Sequence, residues 1–213
     1  MSERPTLELH YAPRTRAFTA LWLLEELGEP YTLRSFDLAS ERHKQADFMA
    51  LNPMGKVPVV IHEGVPVSEL GAIAIYLGDR FPAAKLAPAV DDPQRAAYLR
   101  WTFFASAIME PALGEKFFKW EVPARSVAWG SFAQMLEVLE AGVSPGPWLL
   151  GERFSAADAV VGSGARFGSM FGVLPQQGPI ADYLARLQAR PAFERAAAIE
   201  AEQSERFPMP KQG

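Results

Sequence analysis

Two short stretches of this chain put polar side chains where backbone geometry would make them useful. The first reads His10-Tyr11-Ala12-Pro13-Arg14-Thr15-Arg16-Ala17-Phe18 and carries two hydroxyls and two guanidinium groups where a strand gives way to a helix. Thr15 suits an N-cap, because its oxygen can accept from first-turn amides. Arg14 and Arg16 sit at the positive end of a helix dipole. An anionic ligand would justify them, and plain solvation is the alternative. The second stretch runs from Asn52 to Tyr76. Asn52-Pro53 and Gly55 mark a turn, Val57 to Ile61 is a β-branched run, Glu63-Gly64 is a tight turn and Val65 to Val67 is the return strand, which together predict a hairpin. Ser68-Glu69 then opens an apolar run (Leu70, Ile73, Ala74, Leu77) at helical spacing. The new helix aims its free backbone N–H groups at the hairpin edge, a place suited to a carboxylate. Pro58 removes a ladder donor from the hairpin and asks for a reason, because proline is normally kept to strand starts, edges and bulges.

Composition narrows the chemistry. The chain has 213 residues, no cysteine and three histidines, His10, His43 and His62. Without cysteine there is no disulfide, thiolate metal site or cysteine nucleophile, so any thiol chemistry must use a bound thiol. The histidines form no His-x-x-x-His pair, and no metal is expected. A net charge of −4 without a long basic run argues against nucleic acid as a partner, since such binding rests on phosphate neutralisation. MSERPTLELH lacks the apolar core of a signal peptide and no apolar run approaches the roughly 20 residues of a membrane helix, so a cytoplasmic protein without membrane association is expected.

The elements that must hold these stretches follow from periodicity. Thr6 to Tyr11 alternates as a strand, and Arg16 to Leu27 is helical with Gly28 as its stop. Tyr31 to Phe36 is a second strand, and Ser40 to Leu51 a short polar helix leading to the hairpin. Pro82, Pro88 and Pro93 break any helix between Phe81 and Pro93, which marks a linker. Beyond it all patterns are helical: Gln94 to Phe118 with a kink at Pro111, Ala124 to Ala141, Ala156 to Phe171, Ile180 to Ala189, and a short last helix after Pro191. Ser155 with Asp158 forms a capping box preceded by Phe154 as a staple, which is folding information. Phe207 to Gly213 reads as a frayed tail.

The order β-α-β-α-β-β-α, with Val57-Pro58 ahead of a strand, a turn and a Glu-started helix, resembles the glutathione transferases. The likeness is specific over Asn52 to Tyr76, weaker over Thr15 to Gly28, and architectural thereafter. It implies an α/β thioredoxin-like N-terminal domain over 1–81, a linker over 82–93, and an all-α helical C-terminal domain over 94–213. It also implies a cis bond at Pro58, with Val57 offering its backbone to the cysteinyl part of glutathione. Glu69 matches the acidic residue that meets the γ-glutamyl amine. Leu70 stands where the family usually has Ser or Thr, leaving a backbone N–H and the helix dipole for the γ-glutamyl carboxylate. Lys56 would reach the glycine carboxylate, and Arg14 and Arg16 would face the anionic ligand.

Glutathione is thus implied as co-substrate. Its free thiol titrates near ~8.5, and lowering that by about two units needs roughly 2.7 kcal/mol of preference for the thiolate. One hydrogen bond to a charged sulfur supplies about 1.5–3 kcal/mol. By resemblance the donor is Thr15, as in the serine- and threonine-type branches, with Tyr11, and His10 in a shorter loop, as competing positions. A purely structural Thr15 cap remains open. The electrophile's wall would come from Trp101, Phe104, Ile108 and Met109, a stripe that equally suits a core, and from Arg166 in an otherwise small and apolar helix. The expectation is a dimeric detoxifying transferase acting on a small hydrophobic electrophile or, with the same thiolate, on a peroxide. A non-catalytic glutathione-binding or scaffold protein is the alternative, supported by Leu70, and an isomerase or dehalogenase on the same fold is a third.

Overall fold

A computed structural model describes residues 6–208, and the chain packs as two units. The first takes the chain up to Ile73 and again from Pro191; the second runs from Ala74 to Arg190.

The first unit is a four-stranded sheet in the order β2-β1-β3-β4, where β1 is Leu7–Tyr11, β2 Tyr31–Ser35, β3 Val59–His62 and β4 Val65–Ser68. β1 runs parallel to β2 and antiparallel to β3, and β3 antiparallel to β4. Leu7, Leu9 and Tyr11 alternate into the core, as a period of two requires. Helix α1, Ala17–Leu27, stops at Gly28, whose φ of 74° lets its N–H reach the Leu24 carbonyl at 3.1 Å. Glu63 and Gly64 both take positive φ, 51° and 80°, the left-handed pair that a two-residue hairpin loop demands. Pro66 lies in β4, at the sheet's edge, where a missing donor does no harm.

Two expectations here are corrected. Ser40 to Leu51 is not one helix: two 3₁₀ turns, Leu38–Ser40 and Arg42–Lys44, meet at Glu41, and only Ala46–Leu51 (α2) is α-helical. Asp37 accepts the Ala39 N–H at 2.9 Å and fixes the first turn, while a polar segment with Phe48 as its buried member in α2 has little to nucleate a longer helix. The last helix is not short. Pro191–Arg206 (α9) has 16 residues and packs on α1, with the Phe193 ring 5.4 Å from Phe18 and 5.1 Å from Trp22, and Arg195 donating to Glu25 at 2.7 Å. Its buried residues are Ala192, Phe193, Ala196 and Gln203, too little apolar bulk for a periodicity reading to weigh.

In the chain between the units' sheet and bundle, α3 spans Leu70–Arg80. The second unit holds α4 (Arg95–Phe104), α5 (Glu110–Phe118), α6 (Phe132–Val143), α7 (Ala156–Met170) and α8 (Pro179–Gln188). The irregularity expected at Pro111 lies just upstream, as a π turn over Ala105–Met109 in which the Glu110 N–H reaches back to the Ala105 carbonyl. The wider turn makes room for the proline ring and its missing donor. Helix α6 begins eight residues later than expected, at Phe132 rather than Ala124, because Ser131 caps it by accepting the Gln134 N–H at 3.2 Å and Gly130 takes φ 67°. The linker is stitched down: the Leu86 carbonyl accepts the Ala156 N–H at 2.7 Å and Arg95 donates to Asp79.

The capping box forms as expected. Ser155 donates through its N–H and Oγ to Asp158 Oδ2 at 2.9 and 3.0 Å, while Asp158 Oδ1 accepts from the Leu149 N–H at 2.8 Å and the Tyr183 hydroxyl at 3.0 Å. Phe154 packs on Trp148, with ring centroids 5.2 Å apart. A tighter contact lies at Gly142, where an added Cβ would stand 2.2 Å from the Trp101 ring. Gly142→Ala is expected to destabilise the protein by about 1–3 kcal/mol, the usual penalty of overpacking, and denaturant unfolding will measure it.

Candidate active site

Sheet register gathers one group of residues. His10 pairs with Val59 across β1 and β3, and Val59 pairs with Ser68 across β3 and β4. Continuing that register, the end of β1 at Tyr11, the Val57-Pro58 step before β3 and Glu69 after β4 share one end of the sheet. The Val57–Pro58 bond is cis, as the resemblance implies. Glu69 is exposed with φ 68°, a left-handed turn that hands the chain to Leu70, the half-buried first residue of α3.

The turn before Val57 is held by a residue that sequence reading treated only as punctuation. Asn52 is buried; its Nδ2 donates to the Lys56 carbonyl at 2.9 Å and its Oδ1 accepts the Met54 N–H at 3.1 Å. Gly55 must be glycine: φ is 57°, and a Cβ would lie 2.9 Å from the His43 carbonyl. Lys56 is exposed beside this turn. Burial, with help from Lys44 and Lys56, holds the His43 imidazole below its ordinary pKa.

At the other side of this sheet end, Thr15 is half-buried. Its Oγ1 donates to the Ala12 carbonyl at 2.6 Å and accepts the Ala17 N–H at 3.1 Å, so it caps the first turn of α1. The Tyr11 hydroxyl is enclosed in the core with no hydrogen-bond partner among the described residues. The two candidate donors thus differ in kind: one at the helix start with a hydrogen that can be redirected, the other sealed. His10 points its ring at Phe48 on the opposite sheet face, 5.6 Å between centroids, and burial pushes its pKa down. Arg16 is half-buried at the start of α1. Arg14 is exposed, and its guanidinium donates to the Ser204 and Phe207 carbonyls and its N–H to Glu200 Oε1 at 2.7 Å.

In the helical unit, Trp101, Phe104 and Met109 are buried, Trp101 and Phe104 edge to face at 5.1 Å, and Met109 against Gly164. Ile108 is half-buried, and so is Arg166 in α7, where burial lowers its guanidinium pKa. No cluster of metal-ligating side chains occurs among the described residues, and no helix among them is long and apolar enough to cross a membrane.

With this geometry in hand, likeness to known proteins decides the family. The description "Glutathione S-transferase, N-terminal domain" matches residues 5–79, and its C-terminal counterpart residues 92–163. A glutathione transferase from Methylococcus capsulatus str. Bath superposes with a TM-score of 0.76 at 30% identity, over 92% of this chain and 99% of that one. This chain belongs to the glutathione transferase family. A transferase homologue from Sulfitobacter, solved with bound glutathione, aligns at 26% identity and a TM-score of 0.72 over 92% of this chain and 98% of its own. The glutathione S-transferase GstA of Escherichia coli O157:H7 is 25% identical over 199 residues, 91% of this chain and 98% of the relative. The family accounts for the thioredoxin-like sheet followed by helices, and for glutathione or transferase-like chemistry as the general function.

Proposed function

We propose that this transferase-family chain binds glutathione at the sheet end formed by Tyr11, Val57, Pro58 and Glu69, and ionises its thiol with the Thr15 hydroxyl for attack on a small hydrophobic electrophile or a peroxide. The observation that carries the reading is the placement of Thr15: a half-buried hydroxyl at the start of α1, already an acceptor for Ala17, whose hydrogen now rests on a neutral carbonyl. A thiolate is a better acceptor than that carbonyl, because hydrogen bonds to charged partners are worth about twice neutral ones. Redirecting the hydrogen leaves the cap to Ala17 intact. The start of α1 adds its dipole to the same sulfur.

In this reading Val57 supplies backbone pairing to the cysteinyl residue, Glu69 the γ-glutamyl amine contact, and Lys56 and Arg16 favour the carboxylates. Leu70 supplies only its N–H, so glutathione affinity is reduced. The electrophile is taken up along the π turn after α4, where Ile108 is half-buried, and the protein works as a cytoplasmic homodimer. A scaffold that binds without turnover is the second reading, and Leu70 is what favours it.

Ultraviolet titration of glutathione thiolate on the purified protein tests both. A saturable signal with an apparent pKa below that of the free thiol supports the enzyme; saturable binding by calorimetry without a thiolate signal supports the scaffold; no binding by either method overturns both. Leu70→Ser is expected to tighten glutathione about tenfold by restoring one hydrogen bond to a carboxylate, measured by calorimetry.

A further inference from the structure

Thr15 can act on a bound thiol only if the five-residue connection from Ala12 to Arg16 holds it in place, and that connection contains a strained residue. Arg14 takes φ 59°, a left-handed conformation that arginine keeps only where its surroundings impose it. Those surroundings come from α9. The Arg14 N–H donates to Glu200 Oε1 at 2.7 Å, a charge-assisted bond across 186 residues of sequence. The guanidinium donates to the Ser204 carbonyl at 3.2 Å and to the Phe207 carbonyl, placing a cation at the helix's C-terminal end, where free carbonyls and the dipole favour it. The second carboxylate oxygen, Glu200 Oε2, is buried without a hydrogen-bond partner among the described residues, so the side chain is spent on this one contact.

We propose that Glu200 and Arg14 are a positioning pair: they fasten the β1–α1 loop to α9 and thereby set where the Thr15 hydroxyl stands. Arg14, read from sequence as a ligand contact, is given a different task here, because its guanidinium donors already point at α9. The pair's effect on chemistry rests on the reading of Thr15 as the thiol's hydrogen-bond donor; its effect on the loop does not. Burial raises the Glu200 carboxyl above its ordinary pKa while the Arg14 N–H opposes that rise, in keeping with a group held for its oxygen rather than exposed for its charge.

The test uses the full chain with Glu200→Ala, Glu200→Gln and Arg14→Ala. Amide hydrogen exchange of the ligand-free protein is followed at Ala17, Phe18 and Thr19, whose N–H groups bond Thr15 Oγ1, Thr15 O and Arg16 O. Glu200→Ala and Arg14→Ala are expected to speed exchange there about tenfold and leave the β3–β4 hairpin unchanged, whereas Glu200→Gln, which keeps an acceptor for the Arg14 N–H, restores protection. In the thiolate titration Glu200→Ala is expected to raise the bound thiol's pKa and Glu200→Gln to return it. Wild-type protection at all three amides in both alanine variants overturns the proposal, as does a general loss of protection that Glu200→Gln fails to restore. Faster exchange with an unmoved thiol pKa removes the link to Thr15. Should the wild-type protein ionise no glutathione, the functional reading fails, and the exchange data still decide the pair.

Discussion

Asp158→Ala is expected to lower the stability of this protein by about 3–5 kcal/mol, because it removes a carboxylate that four donors share in a closed interior and leaves three of them with no acceptor. Asp158 is fully buried and accepts from the Ser155 N–H and hydroxyl, the Leu149 N–H and the Tyr183 hydroxyl. Truncation leaves the two Ser155 donors and the Leu149 N–H to lose water without a partner, while the Tyr183 hydroxyl keeps only the residue-158 carbonyl at 3.3 Å, and it also removes the capping box of α7. Asp158→Asn keeps the volume and one oxygen but turns an NH₂ toward the Ser155 N–H, so a smaller loss of about 1–3 kcal/mol is expected. Urea unfolding of both variants checks the order. There is also a pH signature. Burial raises the Asp158 carboxyl above its ordinary value against the pull of its donors, so the folded protein holds that proton more tightly than the unfolded chain. Its contribution to stability is full below the ordinary carboxylate pKa and declines as pH rises through the folded value. Asp158→Asn should flatten that slope; an unchanged slope would assign it to other groups.

Thr15→Ala should reduce turnover by roughly 10- to 150-fold, the loss of a hydrogen bond worth about 1.5–3 kcal/mol to a charged sulfur. Bound thiol pKa should rise by about one to two units in parallel. Because the hydroxyl also caps the first turn of α1, stability should fall by about 1 kcal/mol as well, which is why the comparison with Thr15→Ser matters: serine keeps both bonds and should recover both properties. Tyr11→Phe is the control with the opposite sign. Its hydroxyl is enclosed and has no hydrogen-bond partner among the described residues, so phenylalanine should raise stability slightly and leave the thiol alone. Steady-state kinetics with glutathione and an activated aryl halide separate the cases. A collapse of turnover in Tyr11→Phe with normal Thr15→Ala would hand the donor role to tyrosine, and wild-type rates in both would end the thiolate assignment.

How much of this was legible in the sequence depends on range. The hairpin, the stop at Gly28 and the Ser155–Asp158 box are local patterns, and each formed where the residues indicated, whereas the cis bond at Pro58 came from the family resemblance. Tyr11, Val57 and Glu69 were singled out by the family resemblance, and the sheet register brings them to one end. What stayed hidden was set by distant partners. Nothing near Glu200 announces that its carboxylate meets Arg14, and the alanine-rich α9 offers too little apolar bulk to reveal which surface it covers. The π turn has no residue signature apart from the proline that follows it. Aromatic spacing at Trp101 and Phe104 describes a helix face without saying whether that face meets solvent or core, and both side chains are buried.

The return of α9 to the first unit has a consequence for synthesis. The sheet unit is built from both ends of the described chain, with the whole helical unit intervening. At about 5–20 residues per second, the early segment emerges from the ribosome and waits on the order of ten seconds before the helix that covers Phe18 and Trp22 exists. During that interval those aromatic side chains lie bare on a half-made unit, while the contiguous helical segment can already close on itself. The nascent protein therefore matures in reverse of its reading order, and the interval before α9 arrives is when a chaperone has something to hold.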